Sequence, residues 1–356
     1  MTTKRVISSD SHVNLRHEDV KQHLATRFHE DYDQALSEAL RSMLGGNAAK
    51  ANAAGAEIRH PSWGRPGYSD GAERLLDMDS DGVDVEVLYC EVSAYRYLYL
   101  LRDGAAEATR AFNDTLHDFA CADPNRLIVN YQVPIHDIDL AIDEIERVAA
   151  LGGKSLQLPV FPAELDEADY FDPRYDRMWA AISEVGLPVC CHIGLNTSLN
   201  QLADRDPTPR LAWTLSCMPP SACEALGMWL LTGILTRYPS LRVVFVEPGL
   251  AWVAGYLSFL DDMVVRQGYQ FPLLGDELPS YYYHRNMAMT FIDEPDPVQH
   301  LRHVLGTENL MWSSDYPHPV SSWPKSLQVI DEVFAGVPEA ERDLMIEGNA
   351  ARIWSL

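Results

Sequence analysis

LPVCCHIG, residues 187–194, is apolar from Leu187 to Cys191 and then stops on a histidine. Polar and apolar side chains do not alternate along it, as they would in a strand with one wet face. It reads as a strand buried on both faces. Runs of the same kind occur at Val6–Asp10, Val83–Tyr89, Leu127–Pro134, Ser155–Val160, Leu241–Glu247, Met287–Phe291 and Leu310–Asp315. Apolar residues at helical spacing predict helices over Ala105–Ala122, Ile138–Leu151, Tyr175–Glu184, Cys223–Arg237, Ala251–Val265, Pro297–Val304, Lys325–Phe334 and Glu339–Glu347. Asp137 and Asp172 stand where helix N-caps belong, and Gly152 where a helix stops. Strand followed by helix, repeated around 356 residues, predicts an α/β fold: a distorted (β/α)8 TIM barrel. An open doubly wound sheet is the alternative, but the glycine-rich phosphate loop usual after its first strands is absent.

Composition narrows the function. A 47% hydrophobic content supports a large core, and no apolar run has the length of a membrane span. The N-terminus lacks a signal-like apolar stretch, so a cytoplasmic location is expected. With 52 acidic against 28 basic residues the net charge is −24, which opposes binding to nucleic acid. The six cysteines form no C-x-x-C, and Cys190 and Cys191 sit inside an apolar strand. They read as reduced thiols rather than disulfides or a thiolate metal site.

The chain is expected to be one domain over 1–356, with insertions at about 14–71, 194–220 and 267–286. Such long excursions are expected to form a lid over the C-terminal face of the barrel. Substrate specificity would reside there.

In a barrel of this type the active site lies at the C-terminal ends of the strands. Those ends carry Asp10 and His12, Tyr89 and Glu91, Gln132, Gln157, His192, Glu247, Thr290, and Asp315 followed by His318. Ionisable groups are costly in an apolar interior unless paired or bound to metal. Asp10, His12, His192, Glu247 and Asp315 come from four strands and would converge on the barrel axis. Two imidazoles with carboxylates suit one divalent ion, Zn²⁺ or Mn²⁺, with Fe²⁺ also compatible. Trp63, Tyr68, Tyr89 and His318 are candidates for the substrate pocket, with packing as the plainer role for the aromatics. Trp252 and Trp312 are assigned to the core, and Arg285 and His284 to the far end of the barrel.

The D-x-H of strand 1, the histidine of VCCHIG, the aspartate of MWSSDYPHP and the terminal GNAARIW resemble the amidohydrolase superfamily, across the whole chain and in motif order. The branch is the amidohydrolase-related one that includes aminocarboxymuconate-semialdehyde decarboxylase and nonoxidative aromatic decarboxylases. The resemblance implies metal ligation by Asp10, His12, His192 and Asp315, and a homodimer or higher oligomer. Binuclear relatives bridge their ions with a lysine at the end of strand 4. Gln157 stands there and Lys154 precedes the strand, which implies one ion. The relatives' decarboxylases commonly place histidine at the end of strand 6, where this chain has Glu247. That departure favours a hydrolase acting through a metal-bound water on a small carbonyl- or carboxylate-bearing, possibly aromatic, substrate. Asp315 and Glu247 would be its acid/base groups. Nonoxidative decarboxylation is the alternative, and an inactive barrel that only binds is a further one.

Overall fold

The computed structural model describes residues 4–44, 64–90, 96–101, 104–193 and 220–356. Its strands are β1 (Ile7–Val13), β2 (Val85–Cys90), β3 (Leu127–Val129), β4 (Tyr131–Gln132), β5 (Leu156–Gln157), β6 (Val189–His192), β7 (Val243–Val246), β8 (Met287–Phe291) and β9 (Leu310–Trp312). All pairs are parallel and follow chain order, β1 to β3 and then β4 to β9.

β3 and β4 are one stave of the barrel, interrupted at Asn130. Asn130 donates to the Leu88 carbonyl on β2 through both its backbone and its side-chain nitrogen, each at 3.0 Å. The next residue, Tyr131, donates instead to Ser155 beside β5 at 3.1 Å. The ring closes between β9 and β1, where Asp315 N donates to Asp10 O at 2.9 Å and His12 N to Tyr316 O at 2.6 Å. The fold is the expected (β/α)8 barrel.

The absence of polar alternation now has its cause. In β7, Val244 and Val246 face the barrel interior, while Val243 and Phe245 pack under the helices. Both sides are apolar because both are covered. The interior layer includes Ile7, Val85, Val87, Ile128, Cys190 and Met311, and it is stopped from below by Ile353 and Trp354. Trp354 Nε1 donates to Ser155 Oγ at 3.0 Å, and Asn349 donates to the carbonyls of Thr307 and Leu310. GNAARIW is therefore the floor of the barrel, not part of its mouth.

Asp137 caps its helix by accepting from Asp139 N and Leu140 N, and Asp172 caps the turn leading into Asp176–Val185. The helix expected over Cys223–Arg237 is broken into Pro220–Leu231 and Ile234–Arg237. Gly233 lies between them at φ 78°, and a Cβ there would come within 2.7 Å of the Leu273 carbonyl oxygen. A helix over Gly71–Asp81, not expected from the sequence, is capped by Asp70 and stopped at Gly82, φ 77°.

The expected insertions divide. The first contains helices His17–His23 and His29–Leu44, and its residues 45–63 lie outside the described residues. Most of the second, 194–219, also lies outside them. The third is not a lid: it precedes β8, and Asn286 donates to Pro239 and Leu241 at the N-terminal side of β7. Arg285 binds there too, donating to Asn286 Oδ1 and Leu235 O, as expected for the far end.

Candidate metal centre

β1 does not end at Asp10, as the sequence suggested, but continues to Val13. Its pairing with β2 slips between Ser8 and Ser11, so two residues of β1 oppose one of β2. This bulge re-aims the strand beside the site. Ser8, Ser11 and Ser314 fill the seam with mutual hydroxyl contacts of 3.0–3.1 Å. Ser8 also accepts from Ser314 N and donates to Asp10 O, both at 2.8 Å.

Across this seam the ionisable groups converge. His12 Nε2 lies 3.2 Å from Asp315 Oδ1 and 3.8 Å from Asp10 Oδ1. His192 Nε2 lies 3.5 Å from Asp10 Oδ1 and 3.8 Å from Glu247 Oε2. His318 Nδ1 is 2.8 Å from Asp315 Oδ1, and its ring is tilted against that of His12 at 3.9 Å. The side chains of Asp10 and Asp315 are 0% exposed, that of His12 1% and that of His192 7%.

His192 has a defined tautomer. Its Nδ1 is 2.8 Å from the Ile193 carbonyl, which can only accept, so Nδ1 carries the hydrogen. The lone pair of Nε2 is left facing Asp10, the usual arrangement for a metal-binding imidazole. Both Asp10 carboxylate oxygens and His192 Nε2 are buried without a hydrogen-bond partner. Buried charge left in this way needs a counter-ion. Three overlapping sets each bring one ligand atom per residue within 4.8 Å of the others: Asp10–His12–His192, His12–Asp315–His318 and Asp10–Glu247–Asp315. This nitrogen–oxygen donor set fits a divalent ion.

The backbone is adapted to the same end. Glu247 (φ 56°) and Asp315 (φ 53°) sit in the left-handed region that side chains rarely adopt. Such strain persists where the surroundings enforce it, and it collects at functional sites. Thr290 Oγ1 accepts from Glu247 N at 2.9 Å and fixes that conformation.

The groups titrate unequally. Burial, then the charge of Asp315, pushes Glu247 up to about 8. Burial acts against protonated His192, but Asp10 and Glu247 outweigh it and raise the imidazole to about 9. Burial would raise Asp315, but His318 and His12 hold it below the ordinary carboxylate range. A dication between Asp10 and Asp315 would draw Glu247 down toward neutrality.

Tyr89 is fully buried, its ring 5.5 Å from that of His192 in the layer beneath the ionisable cluster. Tyr68 is half-buried, and its carbonyl accepts from Asn14 N at the exit of β1. Trp63 and Glu91 lie outside the described residues, as does Cys217. Gln157 accepts from Gln132 Nε2 and Cys90 N, and Lys154 reaches the Ser355 carbonyl, so neither joins the cluster. Trp312 is core; Trp252 is only partly buried. Of the described cysteines, all free, Cys121 is exposed.

Sequence reasoning missed Arg74. It is 0% exposed and donates to the carbonyls of His12, Gly67 and Tyr316 and to Glu86. Asp70 and Gly82 mark the helix in the sequence, but GAERLLDMDSDG does not single out its buried face, which carries Arg74, Asp77, Met78 and Asp81 while Leu76 is exposed.

The chain is 21% identical over 288 residues to the 2-amino-3-carboxymuconate-6-semialdehyde decarboxylase of Dictyostelium discoideum, covering 80% of this chain and 76% of that protein. It is 26% identical over 305 residues to the gamma-resorcylate decarboxylase of Rhodococcus jostii, covering 80% and 87%. In three dimensions it resembles 5-carboxyvanillate decarboxylase from Novosphingobium aromaticivorans, solved with bound manganese and 3-methoxy-4-hydroxy-5-nitrobenzoic acid. The TM-score is 0.74 at 20% identity, over 99% of this chain and 97% of that one. The amidohydrolase family model matches residues 9–356, from the serine before Asp10 to the end of the barrel floor, and the chain belongs to that family.

Proposed function

We propose that the protein is a mononuclear metal-dependent nonoxidative decarboxylase of a small aromatic carboxylic acid. The observation that carries the metal-dependent part is the buried, unpartnered Asp10 carboxylate facing His192 Nε2. The curated relatives above are decarboxylases, which moves the reading away from the hydrolysis that Glu247 suggested. Asp10, His12, His192 and Asp315 would hold the ion, with manganese favoured by the related structure. The ion would supply charge to anchor the substrate carboxylate and a neighbouring oxygen.

The chain's own groups account for the proton. Loss of CO₂ from an aromatic acid needs one proton at the ring carbon that bore the carboxylate; the ring–carboxylate bond then breaks and its electrons restore the ring. Glu247, with its raised pKa, is the acid that delivers this proton. Asp315 stays ionised between His12 and His318 and fixes the geometry. Tyr89 beneath the ligands, with Tyr68 and His318, would form the pocket wall.

A second reading, hydrolysis, is kept because a carboxylate at Glu247 can equally serve as base toward water. Manganese-loaded protein should be incubated with a panel of hydroxylated aromatic acids in D₂O. Release of CO₂ with one deuterium at the vacated carbon is expected, and loss of activity in Glu247→Gln. Turnover that places solvent ¹⁸O in the product without CO₂ would establish hydrolysis instead.

A further inference from the structure

Arg74 is the one buried arginine or lysine among the described residues and takes no part in the chemistry above. It projects from the helix Gly71–Asp81 into the seam where β9 closes on β1. Nη1 donates to His12 O at 2.8 Å and Gly67 O at 3.2 Å; Nη2 reaches Tyr316 O at 3.4 Å. Nε is held by Glu86 Oε2 at 2.5 Å, and the guanidinium lies 4.4 Å over the Tyr316 ring. Tyr316 is fixed in turn, its hydroxyl donating to Asp77 on the same helix at 2.5 Å.

The carbonyls that Arg74 holds are not arbitrary. Of the three, one belongs to His12 and another to Tyr316, the residue after Asp315. Tyr316 O also accepts from His12 N, so one guanidinium grips both sides of the seam that separates these two ligands. A planar fork of five donors can do this, whereas a lysine ammonium cannot span the same set.

We propose that Arg74 is a positioning residue for the metal centre: tied to Glu86, it sets the spacing between His12 and Asp315 by holding the backbone of both strand ends. The proposal rests on His12 and Asp315 being metal ligands. Groups behind the ligands commonly change metal affinity 10- to 100-fold when removed. Removing Arg74 alone would also leave Glu86 buried and unpaired, so the informative variant replaces both. A pair of apolar residues of similar volume is often tolerated at such positions.

The test is a Mn²⁺ titration followed by electron paramagnetic resonance, on wild type, His192→Ala, Arg74→Lys and the double variant Arg74→Met/Glu86→Met. Wild type should bind one Mn²⁺ and His192→Ala should not; equal binding by these two would overturn the ligand reading itself. The double variant should melt within a few degrees of wild type yet bind Mn²⁺ at least about 10-fold more weakly, with a changed spectrum. Wild-type affinity and spectrum in that variant would overturn the role of Arg74. If the double variant does not fold, Arg74→Lys decides: weaker binding at a wild-type melting temperature supports the proposal, and unchanged binding overturns it. An Arg74→Lys protein too unstable to purify would make Arg74 a residue of folding alone and likewise overturn it.

Discussion

Asp10 and Glu86 are carboxylates on neighbouring strands, β1 and β2, and both are buried, at 0% and 3% exposed. Glu86 has an arginine at 2.5 Å. Asp10 has no hydrogen-bond partner, and its nearest basic atom is an imidazole nitrogen at 3.5 Å. Burial is therefore common to both, and partnership separates them. A fold that neutralises one acid with its own arginine and leaves the next exposed to two histidines and a second aspartate has reserved the second for something not made of protein.

The sharpest way to break this comparison is Asp10→Asn. Activity of the metal-loaded enzyme should fall by about 10⁴-fold, roughly 5–6 kcal/mol of barrier. Above about pH 9, where His192 is neutral and Glu247 ionised, the metal-free protein should nevertheless melt higher, since repulsion from Asp315 and Glu247 is relieved. A gain of roughly 1 kcal/mol would raise Tm by about 1–2 °C in a chain of 356 residues. A lower metal-free Tm would place Asp10 with Glu86 as a structural acid.

The opposite half of the comparison predicts a loss. Arg74→Met with Glu86 intact should cost about 3–5 kcal/mol, read by urea denaturation, because it strands a buried charge. Next in size is metal removal. A chelator should lower Tm, and Mn²⁺ at a hundred times its Kd should restore about 2.7 kcal/mol.

Acidity gives an effect of defined sign. His192, raised to about 9, contributes stability that is full below about 6.5 and lost as pH rises through 9. Glu247, raised to about 8, binds more protons folded than unfolded between about 4.5 and 8, so it too lowers stability as pH rises. Asp315, held low, works the other way but only at acid pH. Between about pH 6.5 and 9 the metal-free protein should lose stability through both groups together, read as a fall in Tm across that window. Saturating Mn²⁺ should flatten or reverse that slope, because binding displaces protons. A further effect is that of Thr290→Val, which leaves Glu247 N without its acceptor at a cost of roughly 1–3 kcal/mol, shared between stability and activity.

What the sequence disclosed follows from the physics of each part. The staves were legible because a strand covered on both faces must be apolar throughout, as in Val243–Val246. His192 and Asp315 were legible because an ionisable residue ending such a run is conspicuous. The break at Asn130 was hidden because it depends on one side chain choosing a partner on β2 while the next residue turns to β5. The extent of β1 was hidden by its serines, which look like loop but are buried against Ser314. Arg74 could not be distinguished from a surface arginine without knowing which helix face met the seam. The hydrolytic preference drawn from Glu247 treated one residue as decisive, where a carboxylate of raised pKa serves either reaction.

The left-handed backbones of Glu247 and Asp315 bear on how the ion arrives. Their side chains are aimed by conformations that Thr290 and the β1–β9 seam enforce, not by ligation. The ion would enter a finished socket rather than assemble one. Its donor types, imidazole and carboxylate, suit several similar dications, and on intrinsic affinity they bind zinc more strongly than manganese. Which ion the enzyme carries would then be decided by the supply around it when it folds.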